Sequence, residues 1–158
     1  MNRNKELILK IVLGWEIGPG RDHANTDKKG DKRTRDGVTQ PAYDHWRRSR
    51  KLPLQDVFKM LDAERDAIYS DNYWVPVGGP VLPSGVDLIA FDCIVNGSRI
   101  LKWLADSAHL APAPRIQYIH AQRLGYWRHC PQWIAAGAGW LNREKDILKK
   151  ALLLAGGS

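Results

Sequence analysis

Apolar residues recur at helical spacing from the start of the chain. Leu7, Ile8, Ile11, Val12 and Trp15 share one face, which predicts a helix over residues 4–15. Gly14 weakens its last turn, and Gly18-Pro19-Gly20 stops it, so Glu16 falls where helix gives way to irregular chain. Residues 17–38 then lack apolar periodicity and are dense in Gly, Asp, Asn, Lys and Arg. Such a stretch holds no core element and suits a solvated loop or one short polar hairpin over a cleft. Thr39 has the character of an N-cap, with Pro41 just inside a helix that carries Tyr43 and Trp46. That helix ends in the run Arg47-Arg48-Ser49-Arg50-Lys51, most simply a solvated face. Leu54, Val57, Phe58, Leu61 and Ile68 mark a further amphipathic helix reaching about Tyr69.

Gly78-Gly79-Pro80 and Pro83 make a loop, after which Ser84 is placed to cap a helix from Val86 to Val95. That segment is apolar almost all round, which puts it at the centre of the fold. Helices near Ser98–Ala105, Arg115–His129 and from Pro131 to about Leu154 complete the chain. The predicted class is all-α, α+β at most by one small hairpin, without internal repeats.

Composition narrows the function classes. The chain has 158 residues, 44% hydrophobic and 26% charged, as expected of a globular domain with a real core. No apolar run approaches the roughly 18 residues a membrane span needs, so stable membrane insertion is not expected. The opening Met1-Asn2-Arg3-Asn4-Lys5-Glu6 has no signal-peptide pattern. Synthesis in the cytoplasm is therefore expected, with outside help for any action beyond the membrane. The net charge of +7 suits a polyanion, whether nucleic acid, an acidic membrane or a carboxylate-rich wall. Nucleic acid is disfavoured, since the basic residues are interleaved with Asp and carry no recognised motif. Cys93 and Cys130 form no CxxC pair, and the histidines are scattered. Free thiols are the favoured reading, a disulfide is unforced, and neither metal nor other cofactor is expected.

Glycosidic bond cleavage needs a carboxylic acid that stays protonated near neutral pH, and a second group that stabilises the oxocarbenium ion or activates water. Glu16, beside Trp15 and facing a polar loop, meets the first need. Partial burial is what would keep such an acid protonated. For an arbitrary Glu after a helix, plain solvation is the commoner case.

Ordered motifs add to this. The chain carries Trp15-Glu16-Ile17-Gly18, Asp27-Lys28-Lys29-Gly30 and Thr34-Arg35-Asp36-Gly37-Val38-Thr39. Ala67-Ile68-Tyr69 with Tyr73-Trp74, Leu82-Pro83-Ser84-Gly85-Val86-Asp87 and Phe91-Asp92-Cys93-Ile94-Val95-Asn96 follow, then Lys102-Trp103-Leu104 and Gly139-Trp140-Leu141-Asn142-Arg143. This series resembles glycoside hydrolase family 108, a group of phage endolysins and secretion-linked muramidases. Ile17 and Pro19 depart from the family's Glu-Gly-Gly-Tyr, the polar loop is longer, and an Asp-Gly-x-Ile-Gly-Pro segment is missing between Leu104 and Arg115.

The resemblance implies a lysozyme-like helical catalytic region over residues 1–90. Residues 91–158 would form a helical region similar to a peptidoglycan-binding domain, packed with the first as one unit. It further implies hydrolysis between N-acetylmuramic acid and N-acetylglucosamine, with bacterial peptidoglycan as partner and a holin or secretion system for passage to the wall. Glu16 would be the general acid, Asp27 its partner carboxylate, and Thr34 the hydroxyl that positions water or the carboxylate. Asp31 and, less well, Asp22 remain alternatives to Asp27, and Asp36 reads as loop surface. Tyr73 and Trp74 are candidates to stack on sugar, with core packing as the competing reading. Asn96 is a candidate for an N-acetyl group, or else a helix-ending residue before Gly97. Gly37 suggests a turn, Asp92 a structural hydrogen bond or salt bridge, and Trp103, Trp133 and Trp140 read as core. The competing function is a non-catalytic wall-binding or virion structural protein that keeps the fold.

Overall fold

The computed structural model describes residues 4–17, 22–23 and 33–156. Among these are seven α-helices and one small sheet, so the chain is all-α apart from a few strand residues. It divides into two compact units, residues 9–72 and residues 1–8 with 73–158. A buried helix, α4 (Val86–Val95), runs unbroken through residue 90.

Helix α1 (Lys5–Glu16) buries Ile8, Leu9, Val12 and Leu13. Two adjacent i,i+4 rows make that face, and the neighbouring row of Leu7 and Trp15 is left 46% and 39% exposed. The expected face was thus rotated by one row, which a helix apolar on most of its circumference does not disclose.

In the unit of residues 9–72, three two-residue strands form an antiparallel sheet in the order β1 (Asp22–His23), β2 (Thr34–Arg35), β3 (Val38–Thr39). Thr34 pairs with His23 on one side and Thr39 on the other. β2 and β3 are joined by Asp36-Gly37, with φ of 49° and 79°. Two left-handed residues in a two-residue loop make the type I′ turn whose twist matches the strands it joins, and Asp-Gly is a favoured pair for it. Thr39 then caps helix α2 (Gln40–Ser49), accepting from the Ala42 N–H at 3.4 Å, with Pro in the first turn.

The helix expected over residues 54–69 is broken. A 3-10 turn (Val57–Lys59) is capped by Asp56, whose carboxylate accepts from the Phe58 N–H at 2.9 Å. The chain then extends through Met60 and Leu61, and α3 (Asp62–Tyr69) starts afresh with Glu64 accepting from the Leu61 N–H at 3.0 Å. Met60 is buried in place of the exposed Leu61. The basic run is not all solvated either. Arg47 is buried, donating to Glu64 at 2.7 Å, to the Tyr43 hydroxyl at 2.8 Å and to the Pro53 carbonyl at 2.5 Å. Burial, and then the Glu64 carboxylate that accepts from it, push the Tyr43 phenol above its ordinary pKa.

The other unit is built around α4, where Val86, Leu88, Ile89, Ala90 and Cys93 are wholly buried. Around it pack α5 (Ile100–Asp106), α6 (Pro112–Trp127) and α7 (Trp133–Gly156). Pro112 lies in the first turn of α6, where a missing N–H costs nothing, so that helix starts earlier than expected. Gly85, not Ser84, caps α4: its φ is 83°, and a Cβ there would sit 2.2 Å from the Ala151 carbonyl oxygen. Asp87 accepts from the Gly85 N–H at 2.7 Å, while Ser84 accepts from Asn4 at 2.8 Å.

Asp92 makes the expected ion pair, and a larger one than expected. It takes Arg123 at 2.6 Å and Arg143 through two contacts of 2.8 and 2.6 Å. Arg123 reaches on to Glu144 at 2.7 Å, which faces His120 at 2.7 Å. Both cysteines are free thiols, Cys93 buried and Cys130 partly so. Trp103 is core, whereas Trp133 and Trp140 are half-buried in a cluster with Trp127. Among the described residues no helix is long and apolar enough to cross a membrane.

Candidate active site

Glu16 is the last residue of α1 and is half-buried. The helical hydrogen-bonding continues one residue further, Ile17 N–H to the Leu13 carbonyl at 2.8 Å, so the backbone that carries the carboxylate is held on both sides. The turn of the β2–β3 hairpin faces this carboxylate. A Cβ built on Gly37 would lie 3.6 Å from Glu16 Oε2 and 2.5 Å from the Tyr69 hydroxyl oxygen. Only hydrogen fits there, so Gly37 brings backbone directly against the acid and the phenol.

Two side chains of α3 pin the turn. The Tyr69 hydroxyl donates to the Asp36 carbonyl at 3.0 Å. Arg65 donates to the Asp36 carboxylate at 3.3 Å and is also paired with Asp62 and Asp66. Burial works against the Arg65 cation, yet its carboxylate partners prevail and hold its pKa above the ordinary value. Arg35 donates from β2 to the Phe58 and Met60 carbonyls, both at 2.7 Å, which ties the sheet to the 3-10 turn.

Asp36 is therefore not loop surface. It is 3% exposed and held by a cation from α3. The expectation failed because the partner lies 29 residues away and the local sequence reads simply as a polar turn. Thr34 is half-buried on β2, two residues before that turn. Asp27 and Asp31 lie outside the described residues. Asp22 pairs through its backbone with Arg35. Tyr69 and Arg65 were not singled out as site residues, although Tyr69 stands in one of the ordered motifs and Asp36-Gly37 is a hairpin signal.

The remaining candidates belong to the other unit. Trp74 is 3% exposed, packed edge-on against Phe91 at 5.6 Å between ring centroids. Gly79 lies against the indole so closely that a Cβ would come within 2.4 Å of it. A ring covered in this way has no face to offer a sugar, and Trp74 is a core residue. Tyr73 precedes it and is half-buried. Asn96 is exposed, but its amide donates to the Asp92 carbonyl at 2.8 Å and closes the end of α4. Among the described residues no group of three or more His, Cys, Asp or Glu is arranged to hold a metal.

A helical fold with a carboxyl at the end of its first helix, set against a small sheet, is that of a lysozyme-like glycosidase. The chain belongs to glycosyl hydrolase family 108, whose profile matches residues 9–97. Membership makes it a glycoside hydrolase and supports peptidoglycan as the substrate. Among solved structures, that of Brucella abortus SagA is similar in fold, with a TM-score of 0.78 at 22% identity, covering 98% of this chain and 97% of that one. No curated protein sequence matches the chain.

Proposed function

We propose that the chain is an N-acetylmuramidase that hydrolyses the bond between N-acetylmuramic acid and N-acetylglucosamine in peptidoglycan. The observation that carries this reading is the half-buried Glu16 at the end of α1, backed by a turn that admits only glycine, in a member of a glycosidase family. Glu16 gives its proton to the glycosidic oxygen as the bond to the sugar C1 breaks. Asp27 then takes a proton from the water that attacks C1, and Thr34 holds that water or the carboxylate. The wider spacing of roughly 6.5–9.5 Å between the two carboxyls, with inversion at C1, is the arrangement proposed. We place the protein with phage endolysins or related lytic proteins, made in the cytoplasm and reaching the wall through a holin pore or a secretion system.

Digestion of purified peptidoglycan followed by mass spectrometry tests the bond, with reducing N-acetylmuramic acid ends as the expected product. Reducing N-acetylglucosamine, anhydro ends or cut peptides would each point to another activity. Glu16→Gln keeps the size and removes the transferable proton, so turnover should fall about 10²–10⁴-fold. Alanine at Asp22, Asp27 and Asp31 in turn locates the second carboxylate, and loss at Asp31 alone would displace Asp27 from the role.

A further inference from the structure

Arg99, the N-cap residue of α5, and Trp103 within that helix line an open groove of about 690 Å³ together with Gln122 and Tyr126 of α6, and His129 and Cys130. That volume lies in the range of a site for a small organic ligand and far exceeds a single inorganic anion. Among the described residues no acidic side chain lines it. Arg99 is exposed, with its guanidinium held 5.9 Å from the centre of the Tyr126 ring. The His129 ring meets the Gly125 carbonyl through Nδ1 at 2.8 Å. A carbonyl only accepts, so Nδ1 carries the proton and Nε2 is the remaining nitrogen.

The groove thus presents an accessible cation, an exposed side-chain amide at Gln122 and a half-buried aromatic wall. It does not present a sugar platform. Trp103 is 5% exposed and meets Tyr126 edge-on at 6.2 Å, and Arg99 lies over the Tyr126 ring. A pyranose stacks on an open aromatic face, whereas a peptide with a free carboxylate matches what is here. The carboxylate pairs with Arg99, a peptide amide with Gln122, and small apolar side chains with the ring edges.

We infer that this groove binds the carboxylate-bearing stem peptide of peptidoglycan and not its glycan. The choice of occupant rests on the proposal that peptidoglycan is the substrate. Its chemistry rests on the groove alone. The site would hold the enzyme on stretches of wall whose stems are uncapped.

Cys130 gives a reporter inside the groove. The chain has 2 cysteines, and burial of Cys93 pushes that thiol up to about 12, so maleimide reacts at Cys130. The Glu16→Gln protein is treated with maleimide in the presence of the stem tetrapeptide Ala-γGlu-diaminopimelate-Ala, its fully amidated form, or an N-acetylglucosamine tetramer. Calorimetry with the same ligands reads binding without the thiol. The free-acid peptide should slow labelling about fivefold at about four times its Kd, following 1 + [L]/Kd. The amidated peptide and the sugar should not, and Arg99→Gln should abolish the protection with its helical circular dichroism unchanged. Equal protection by the sugar, indifference to amidation, or binding of neither peptide overturns the inference. If walls are cut but the stem does not bind, the groove proposal alone falls. If the stem binds while walls are never cut, the muramidase proposal alone falls.

Discussion

At Gly37 a hydrogen stands where any other residue would carry a carbon 2.5 Å from the Tyr69 hydroxyl oxygen. The backbone there is also left-handed, φ 79°, which costs an L residue roughly 1–2 kcal/mol before any clash is counted. Gly37→Ala should lower the midpoint of thermal unfolding by several degrees. It should cut activity on peptidoglycan by more than the unfolded fraction explains, because the turn and the Glu16 carboxylate move together. A variant with wild-type melting and wild-type turnover would show that the turn does not brace the acid. Cys93 offers a second residue-level test. Burial raises this thiol from its usual 9.0 to about 12, so the folded chain keeps the proton after the unfolded chain has lost it. Stability from this group is whole below pH 9.0 and falls as pH rises toward about 12, by about 1.4 kcal/mol per pH unit. Urea unfolding at several pH values in that window should show this slope in the wild type and a shallower one in Cys93→Ala. Identical slopes would mean that the thiolate is tolerated where it sits.

Among the elements, α4 illustrates what sequence pattern conveys and what it withholds. Its apolar residues all round placed it at the centre of its unit, and Asp92 within it had to be paired. The partners, Arg123 and Arg143 at separations of 31 and 51 residues, follow no local spacing. The same limit hid the burial of Asp36 and of Arg47. By contrast, the end of α1 at Glu16, the Thr39 cap and, among the described residues, the confinement of strands to one small sheet are local matters of glycine, proline and cap chemistry, and they were legible. The break at Met60-Leu61 was not, because the apolar spacing across it imitates a continuous helix, while Asp56 starts a separate 3-10 turn through a side-chain hydrogen bond. Candidate sites followed the same division. The place of Glu16 at a helix end was visible locally, while its candidacy as the acid came with the family resemblance; the burial of Trp74 was visible only once Gly79 and Phe91 were seen around it. The Asp92 cluster yields a quantitative expectation at this scale. Asp92→Ala leaves two arginines facing a cavity, one of them wholly buried, and should cost about 3–5 kcal/mol in denaturant unfolding. A loss below about 1 kcal/mol would mean that water or Glu144 satisfies both cations.

For the whole molecule the dominant electrostatic quantity is the net charge of +7. Peptidoglycan is an insoluble polyanion carrying the carboxylates of its stems, so the long-range attraction acts on encounter and retention and not on the chemical step. Raising ionic strength from about 0.1 to about 1 M shortens the screening length from about 10 to about 3 Å. Under the proposed mechanism the bond to be cut lies within the reach of Glu16, a distance scarcely screened at either salt concentration. Digestion of intact walls under limiting substrate should therefore slow markedly across this range. Turnover of a short, stem-free glycan at saturation should change little. Wall digestion that ignores salt would show that the positive charge has no part in wall recognition. An equal loss on both substrates would place the effect in the fold or the site, and circular dichroism at the same salt concentrations separates those two.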